Sequence, residues 1–358
     1  MARILVVGAG RVGLALIKIA NTLKIGEIYV VDTLPAAIES VKQYSKDIKT
    51  FVASSKEELE QCFDIVRPKV VVCSTPFNIN TTVAQIAASR AVDYVDFTED
   101  NQVTEFISSL DVSSTFVPQT GLAPGLVSYI GLDLFSNLGT PHSLDLRVGA
   151  LPRVAFGPDY YAITWSPEGL INEYIKPAKR KRNGALQVVD PLIEREELLV
   201  DGIIYEGFTT SGGVGDLAAY PHIPNVEYKT LRHQGHLENT IKPLLKNFLN
   251  NENFSFEEAV EDAKKKFPTT RDDTVVLAAV AKDVNGKMAS AGIHFLPEEE
   301  LGLTALELTT SGTGVAVIEL LLEGKLNKGI LKPSDIPYGE LKKTAAYSFV
   351  FKNTRGNQ

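Results

Sequence analysis

Three glycines and one acid in this chain have the types and spacing to do chemistry. Gly8, Gly10 and Gly13 follow the apolar run Ile4–Val7 as Gly-x-Gly-x-x-Gly, and Asp32 closes a second apolar run, Ile28–Val31. Between a strand and a helix, this pattern holds the pyrophosphate of a dinucleotide. Gly8 permits the tight turn out of the strand. Gly10, without a Cβ, lets the backbone approach the phosphates, and Gly13 lets the helix pack close to the strand. The N–H groups at the helix start, at Arg11 and Val12, then face the anion. Asp32 stands 19 positions after Gly13, where a carboxylate accepts from both ribose hydroxyls and repels a 2′-phosphate. The expected cofactor is therefore NAD.

Proton-transfer and carboxylate-binding types gather further along. In Thr230-Leu-Arg-His-Gln-Gly-His236, Arg232 has the planar fork that pairs with a substrate carboxylate. His233 or His236 titrates near neutral pH and is a candidate to move a proton. In Trp165-Ser-Pro-Glu-Gly-Leu-Ile-Asn-Glu173, Glu168 and Asn172 stand four apart on one helix face. They either line a cleft with Trp165 or, for Ser166 and Glu168, cap that helix. The pair His233 and His236 lacks a matching Cys or carboxylate pattern, so no metal site is expected. The glycines in Phe208-Thr-Thr-Ser-Gly-Gly-Val-Gly-Asp216 are read as a turn.

The elements that must position these residues alternate strand and helix in the first third. Ile4–Val7, Ile28–Val31, Val70–Cys73, Tyr94–Phe97, Phe116–Val117 and, more weakly, Thr50–Ala53 read as buried parallel strands. Val12–Leu23, Pro35–Asp47, Lys56–Val66, Thr81–Arg90 and Asn101–Leu110 read as helices, with a capping box at Ser55 and Glu58. The fold class is α/β: a doubly wound parallel sheet of Rossmann type, 1–125, whose ligands bind beyond the strand carboxyl ends near Ser74, Thr75, Pro76 and Gln119. Beyond a helix through about Leu138, the pattern becomes an inserted α+β domain on a mixed or antiparallel sheet, 126–310. Leu144–Val148, Tyr161–Thr164, Leu186–Val189, Gly202–Phe208, Val226–Thr230, Val275–Asp283 and Met288–Phe295 are its expected strands. Leu237–Asn250 and Phe256–Phe267 are its expected helices. The segment 311–358, with a helix Gly314–Leu322 starting from Thr309-Thr-Ser-Gly-Thr-Gly314, is expected to return to the first domain and leave a cleft between the two.

Composition excludes several classes. A net charge of −8 argues against a nucleic-acid surface. Apolar content of 44% and charged content of 22% suit an ordinary globular protein. No apolar run is expected to cross a membrane, no signal peptide is read at the start, and the two cysteines, Cys62 and Cys73, fit a reducing cytoplasm. Neither a nucleophile elbow nor a P-loop occurs. The run Lys179-Arg-Lys-Arg182 is read as a solvated loop.

Several segments together resemble the saccharopine dehydrogenase (saccharopine reductase) family, especially its lysine 6-dehydrogenase-like branch. They are Val6-Val-Gly-Ala-Gly-Arg-Val-Gly13, Tyr94-Val-Asp-Phe-Thr-Glu-Asp100, Gly121-Leu-Ala-Pro-Gly125, Ser166-Pro-Glu-Gly-Leu-Ile-Asn-Glu-Tyr174, Leu231-Arg-His-Gln-Gly-His236 and Gly324-Lys-Leu-Asn-Lys-Gly329. The resemblance implies NAD-dependent oxidation or reduction at a carbon–nitrogen bond of a basic amino acid, and a homodimer formed through the inserted domain. It implies that Ser74, Thr75, Pro76 and Gly121 line the nicotinamide side. Glu168, Arg232 and His236 would face the substrate, with Glu168 or Asp96 on its ammonium and His236 or His233 as base. Where saccharopine-forming members carry an acid in the Gly-x-x-Pro-Gly turn, this chain has Ala123, which favours a smaller amine such as lysine. Reductive condensation of the saccharopine or carboxynorspermidine type is the alternative. A non-catalytic NAD(H)-binding redox sensor is the alternative of another class.

Overall fold

The computed structural model describes residues 1–155, 157, 159–250 and 252–357. By packing, the chain divides into two compact units, Met1–Tyr129 with Glu307–Lys352, and Ile130–Leu306 with Asn353–Gln358.

In the first unit, valine- and isoleucine-rich runs buried on both faces form parallel strands, and amphipathic stretches between them form crossover helices. The order is β1 (Arg3–Val7), α1 (Arg11–Thr22), β2 (Glu27–Asp32), α2 (Pro35–Tyr44), β3 (Lys49–Val52), α3 (Lys56–Val66), β4 (Val70–Cys73), α4 (Phe77–Ser89), β5 (Asp93–Asp96), α5 (Asn101–Ser108) and β6 (Thr115–Val117). Among the described residues, β15 (Gly329–Ile330) completes a seven-stranded sheet in the order β15-β6-β5-β4-β1-β2-β3. All its pairings are parallel. This is the doubly wound Rossmann arrangement, with its switch point between β1 and β4. The expected capping box starts α3: Ser55 Oγ accepts from the Glu58 N–H at 3.2 Å, and Glu58 Oε2 accepts from the Ser55 N–H. Val7, Val31, Val71, Cys73, Tyr94 and Phe116 fill one face of the sheet against Phe63, Val66 and Ile86.

The second unit opens in α6 (Leu126–Ser136) and builds a larger mixed sheet. Its elements are β7 (Pro141–Pro152), α7 (Pro167–Ile175), β8 (Ala178–Arg182), β9 (Ala185–Val189), β10 (Glu196–Val200), β11 (Ile203–Thr209), β12 (Asn225–His233), α8 (Lys242–Leu244), α9 (Lys246–Leu249), α10 (Phe256–Lys266), β13 (Asp273–Asp283) and β14 (Met288–Phe295). After them come α11 (Ala305–Leu322), α12 (Tyr338–Leu341), α13 (Ala345–Val350) and β16 (Thr354–Asn357). Among the described residues, nine strands join in the order β10-β11-β12-β7-β13-β14-β16, with β8 on β12 and β9 on β8. The pairing of β12 with β7 is parallel and the others are antiparallel.

Several expectations are corrected here. Tyr161–Thr164 makes only an isolated bridge, Ile163 to Thr269. Pro268 has no N–H to extend the pairing, and Pro167 turns the chain into α7. Lys179–Arg182 is strand rather than loop. Arg180 and Arg182 ion-pair with Glu194, and Lys181 donates to the Tyr220 carbonyl. The strand β10 was missed, although Asp201 and Gly202, at φ 48° and 78°, are a two-residue hairpin signal. The helix expected over Leu237–Asn250 breaks into a wide turn at Leu237–Ile241 and two short helices, because Pro243 removes an N–H and crowds the preceding turn.

The glycine–threonine run Thr309–Gly314 lies inside α11 rather than before it. A Cβ at Gly312 would stand 2.2 Å from Val350, and one at Gly314 2.6 Å from Phe97. At 18 residues, α11 is long and apolar enough to cross a membrane, contrary to the expectation. However, 83% of it is buried within the protein, as in the core helix of a globular fold. The segment 311–358 does not return whole to the first unit. Its last strand, β16, pairs with β14 in the second sheet, where that edge offers unpaired backbone groups.

Candidate functional site

At the carboxyl end of β1 the chain turns through Gly8, whose φ of +94° suits only glycine. A Cβ at Gly8 would lie 2.8 Å from the Ser74 carbonyl oxygen, and one at Gly13 would lie 2.0 Å from the Gly8 oxygen. At Gly10 a Cβ would meet nothing within 4 Å. Two glycines are thus required by the protein's own packing, and the third faces open space. Gly10 begins α1 with no side-chain cap and no acid in the first turn, so the positive end of the helix, at Arg11 and Val12, is left for an external anion. Ser74 Oγ donates to the Gly8 carbonyl at 2.7 Å and ties the end of β4 to the turn at the switch point.

Both oxygens of Asp32 are anchored. Oδ2 accepts from the Ala9 N–H at 2.7 Å and Oδ1 from the Leu34 N–H at 2.8 Å. Each keeps a lone pair for a ribose hydroxyl. Thr33, Leu34, Pro35, Ala36 and Ala37 follow, with no cation to receive a 2′-phosphate. This cradle fits the dinucleotide that the spacing implied. Thr75 and Pro76 lie in the loop after β4, where Thr75 Oγ1 stands 3.2 Å from the buried Cys73 thiol. Gly121 is buried past β6, and its carbonyl accepts from the Leu126 N–H at 2.9 Å. The Arg11 guanidinium is held by Glu307 at 2.8 Å, so its charge is matched within the fold.

Asp96 does not present its carboxylate to a ligand. It is fully buried and accepts from the Tyr94 hydroxyl at 2.8 Å, the Gln119 N–H at 2.9 Å and the Thr98 N–H at 3.1 Å. Burial pushes its carboxyl up to about 6. It joins β5 to the segment after β6, which corrects its assignment to a substrate ammonium.

In the second unit, Arg232 on β12 is buried and lies 5.5 Å from the centroids of both the Tyr161 and Tyr174 rings. Its Nε donates to Tyr174 Oη at 2.7 Å, Nη1 to the Leu231 carbonyl at 2.9 Å and Nη2 to Glu173 Oε2 at 3.2 Å. One N–H on each terminal nitrogen is left over. His236 is fully buried beside Tyr161, Tyr174 and Phe267. The Asp159 carbonyl, 3.3 Å from Nδ1, can only accept, so Nδ1 carries the proton and Nε2 accepts from the Tyr174 hydroxyl at 3.3 Å. Burial and the Arg232 charge bring its pKa down to about 3. His236 is therefore a neutral structural acceptor, and its assignment as the base is corrected. His233 faces the other side of the sheet: its Nε2 donates to the Pro152 carbonyl at 2.9 Å, and burial lowers its pKa.

Glu168 takes the capping alternative. Ser166 Oγ accepts from the Gly169 N–H at 3.1 Å, and Glu168, 49% exposed, pairs with Lys264 at 2.9 Å. Lys264 holds its carboxyl below the usual range. It does not join Arg232. Asn172 is half-buried and offers its backbone carbonyl to Ser211 Oγ at 3.3 Å. Trp165 packs on the Leu170, Ile171 and Tyr174 core and covers Gly169. The residues that do hold Arg232 and its partner were missed: Glu173, Tyr174 and Tyr161 meet the guanidinium, and Thr210 and Thr230 meet Glu173. Glu206, also missed, is a buried carboxylate that holds the Gly235 turn through the Gly235 and Leu237 N–H groups at 3.1 and 2.6 Å, and pairs with Arg195 at 3.0 Å. A lone acid at an inward position of an otherwise apolar strand was its signal.

Residues 121–344 match the saccharopine dehydrogenase C-terminal domain. The chain belongs to the saccharopine dehydrogenase family. Membership places it among oxidoreductases. The saccharopine dehydrogenase fold extends over the full length. An apo saccharopine dehydrogenase (L-Glu forming) from Saccharomyces cerevisiae superposes with a TM-score of 0.75 at 15% identity, covering 100% of both chains. A myo-inositol dehydrogenase from Corynebacterium glutamicum gives a TM-score of 0.46 at 11% identity over 99% of this chain and 98% of its own.

Proposed function

We propose that this family member oxidises the carbon–nitrogen bond of a basic amino acid with NAD, as a lysine 6-dehydrogenase-like enzyme. The observation that carries the cofactor assignment is the anchored Asp32 carboxylate beside the open Gly10 turn, with no cation in the residues that follow. The nicotinamide would supply the hydride acceptor. In the net reaction the substrate amine carbon loses a hydride and the nitrogen loses a proton. Water then adds across the carbon–nitrogen double bond, and an aldehyde and ammonium leave. In this reading the chain's residues bind and orient: Gly8, Gly10, Gly13 and Asp32 hold the dinucleotide, and Ser74, Thr75, Pro76 and Gly121 shape the nicotinamide end. Arg232 offers its two remaining N–H groups to the substrate carboxylate. Orientation of this kind contributes about 7–11 kcal/mol where the alignment is complete.

A homodimer belongs to the same reading. The edge strand β10 exposes Leu199, and Ile203 and Ile204 stand exposed beside it on β11. Light scattering at the mass of two chains would support the dimer, and the mass of one would refute it. The free, buried thiols of Cys62 and Cys73 support a reducing, cytoplasmic setting.

The test is the NADH absorbance band with NAD and a panel of lysine, ornithine, saccharopine and polyamine conjugates at mildly alkaline pH. A rise with lysine supports the proposal. A rise only with saccharopine or a conjugate moves the assignment to the condensing branch. NADH binding without turnover on any member moves it to a cofactor-binding sensor.

A further inference from the structure

We propose that Glu173, held by Arg232, Thr210 and Thr230, binds the α-ammonium of an amino-acid substrate, so that Glu173 and Arg232 together form a receptor for its zwitterionic headgroup. The inference rests on the proposed amino-acid chemistry and assigns the charged end of the substrate to specific atoms.

The sequence offers two acids on α7. Glu168 and Glu173 are five residues apart, about 140° around the helix, and the structure separates them. Glu168 stands outside on Lys264. Glu173 packs against the buried guanidinium of Arg232. Its Oε1 lies within hydrogen-bond reach of the Thr210 and Thr230 hydroxyls, and its Oε2 accepts from Arg232 Nη2 at 3.2 Å. The two hydroxyls stand 2.8 Å apart, so one donates to the other and the second donates to Oε1.

Two facts give this pair a use beyond closing a charge. An ionised carboxylate has about four acceptor positions, two on each oxygen, and Oε2, bonded to Arg232, keeps one open. The side-chain exposure is also uneven, at 3% for Arg232 and 11% for Glu173. The carboxylate is the more accessible partner, and the guanidinium behind it retains one N–H on each terminal nitrogen. A lone cation placed here would leave a positive excess, and a lone anion a negative one. An ammonium next to a carboxylate matches both members, with charge-assisted hydrogen bonds to each. A hydroxyl just past β11, one within β12 and a guanidinium near two tyrosine rings hold Glu173 before any ligand arrives, which reduces the ordering cost of binding. Binding the α-amino acid head at this pair leaves the distal amine as the reacting group.

The test compares L-lysine with 6-aminohexanoic acid, which keeps the distal amine and the carboxylate but lacks the α-ammonium. In wild type and Glu173→Gln, folding is checked by circular dichroism and NADH affinity. The expected result is a KM for L-lysine raised about 10- to 100-fold, the size of one charge-assisted hydrogen bond. The KM for 6-aminohexanoic acid and kcat stay within about threefold. Glu173→Asp restores most of the L-lysine KM. Equal effects on both compounds, or a loss of kcat alone, would overturn the assignment and leave the proposed reaction standing. If neither compound is oxidised by wild type, calorimetry of L-lysine with the NADH-bound protein decides. Binding that Glu173→Gln abolishes upholds the receptor while the proposed reaction fails, and binding that is absent or unchanged overturns both. Should Glu173→Gln not fold, Thr230→Val is read instead, with a rise of about threefold confined to L-lysine expected and an unselective effect overturning the proposal.

Discussion

Substituting His236 by asparagine tests the electrostatic reading of the second unit. The ring is fully buried, and its pKa lies at about 3 against 6.5 in the unfolded chain. Between those values the unfolded state binds more protons than the folded one, so stability rises with pH through the window. The contribution is complete above 6.5 and is lost as pH falls toward 3. At pH 5 the unfolded ring is almost wholly protonated and the folded ring almost wholly neutral. The cost relative to pH 7.5 is then about 2 kcal/mol. That figure changes little if the folded pKa moves by a unit, because the unfolded value sets it. Asp96, raised to about 6 by burial, acts with the opposite sign, since its folded form binds the extra proton. It lies in the first unit and cancels between wild type and His236→Asn. Trp165, the single tryptophan, packs on the same core as His236's aromatic neighbours, Tyr161, Tyr174 and Phe267, and reports unfolding of this unit by fluorescence. The asparagine variant is the less stable at pH 7.5, because the ring's packing is lost. On moving to pH 5, the stability gap in urea should close by about 2 kcal/mol. A gap that stays constant within about 0.5 kcal/mol would refute the buried, neutral imidazole and restore His236 as an ordinary titrating group.

Four other substitutions bear on the remaining assignments. Gly13→Ala should abolish folding or NADH binding, since its methyl would stand 2.0 Å from the Gly8 oxygen, whereas Gly10→Ala should unfold as wild type and lose NADH affinity alone; comparing melting with NADH titration checks both. Asp32→Ala should weaken NADH binding by about 10-fold or more and narrow the NADH-to-NADPH affinity ratio, because one carboxylate both binds ribose and repels a 2′-phosphate. Glu168→Ala should leave KM and kcat within about twofold, as an exposed pair with Lys264 is worth about 0–1 kcal/mol; a larger loss would return it to the site.

The first unit was legible because its signals are local. Apolar runs, helix caps and three glycines each constrain the few residues beside them, and their agreement specified the sheet and its cofactor turn. The second unit depends on distant pairings. The sequence around Glu168 and Glu173 shows two acids on one helix, but which of them turns inward is decided by Arg232, some sixty residues on. His236 has an ordinary imidazole in isolation, and burial among Tyr161, Tyr174 and Phe267 from three separate segments, together with the Arg232 charge, removes its own charge. Tyr161–Thr164 has strand-like composition, and Pro268 across from it denies the ladder. The Asp201–Gly202 turn was readable and would have revealed β10.

The pairing of β16 with β14 sets an order of events during synthesis. The strand β14 emerges from the ribosome about sixty residues before the partner that covers its edge. Throughout that interval α11 and the rest of the first unit's closing segment must also appear. The second sheet therefore waits, with one edge open, for a strand that arrives only after the cofactor-binding unit has received its last helices. Ribosome-bound chains halted before Thr354 would display that edge to any extended peptide nearby.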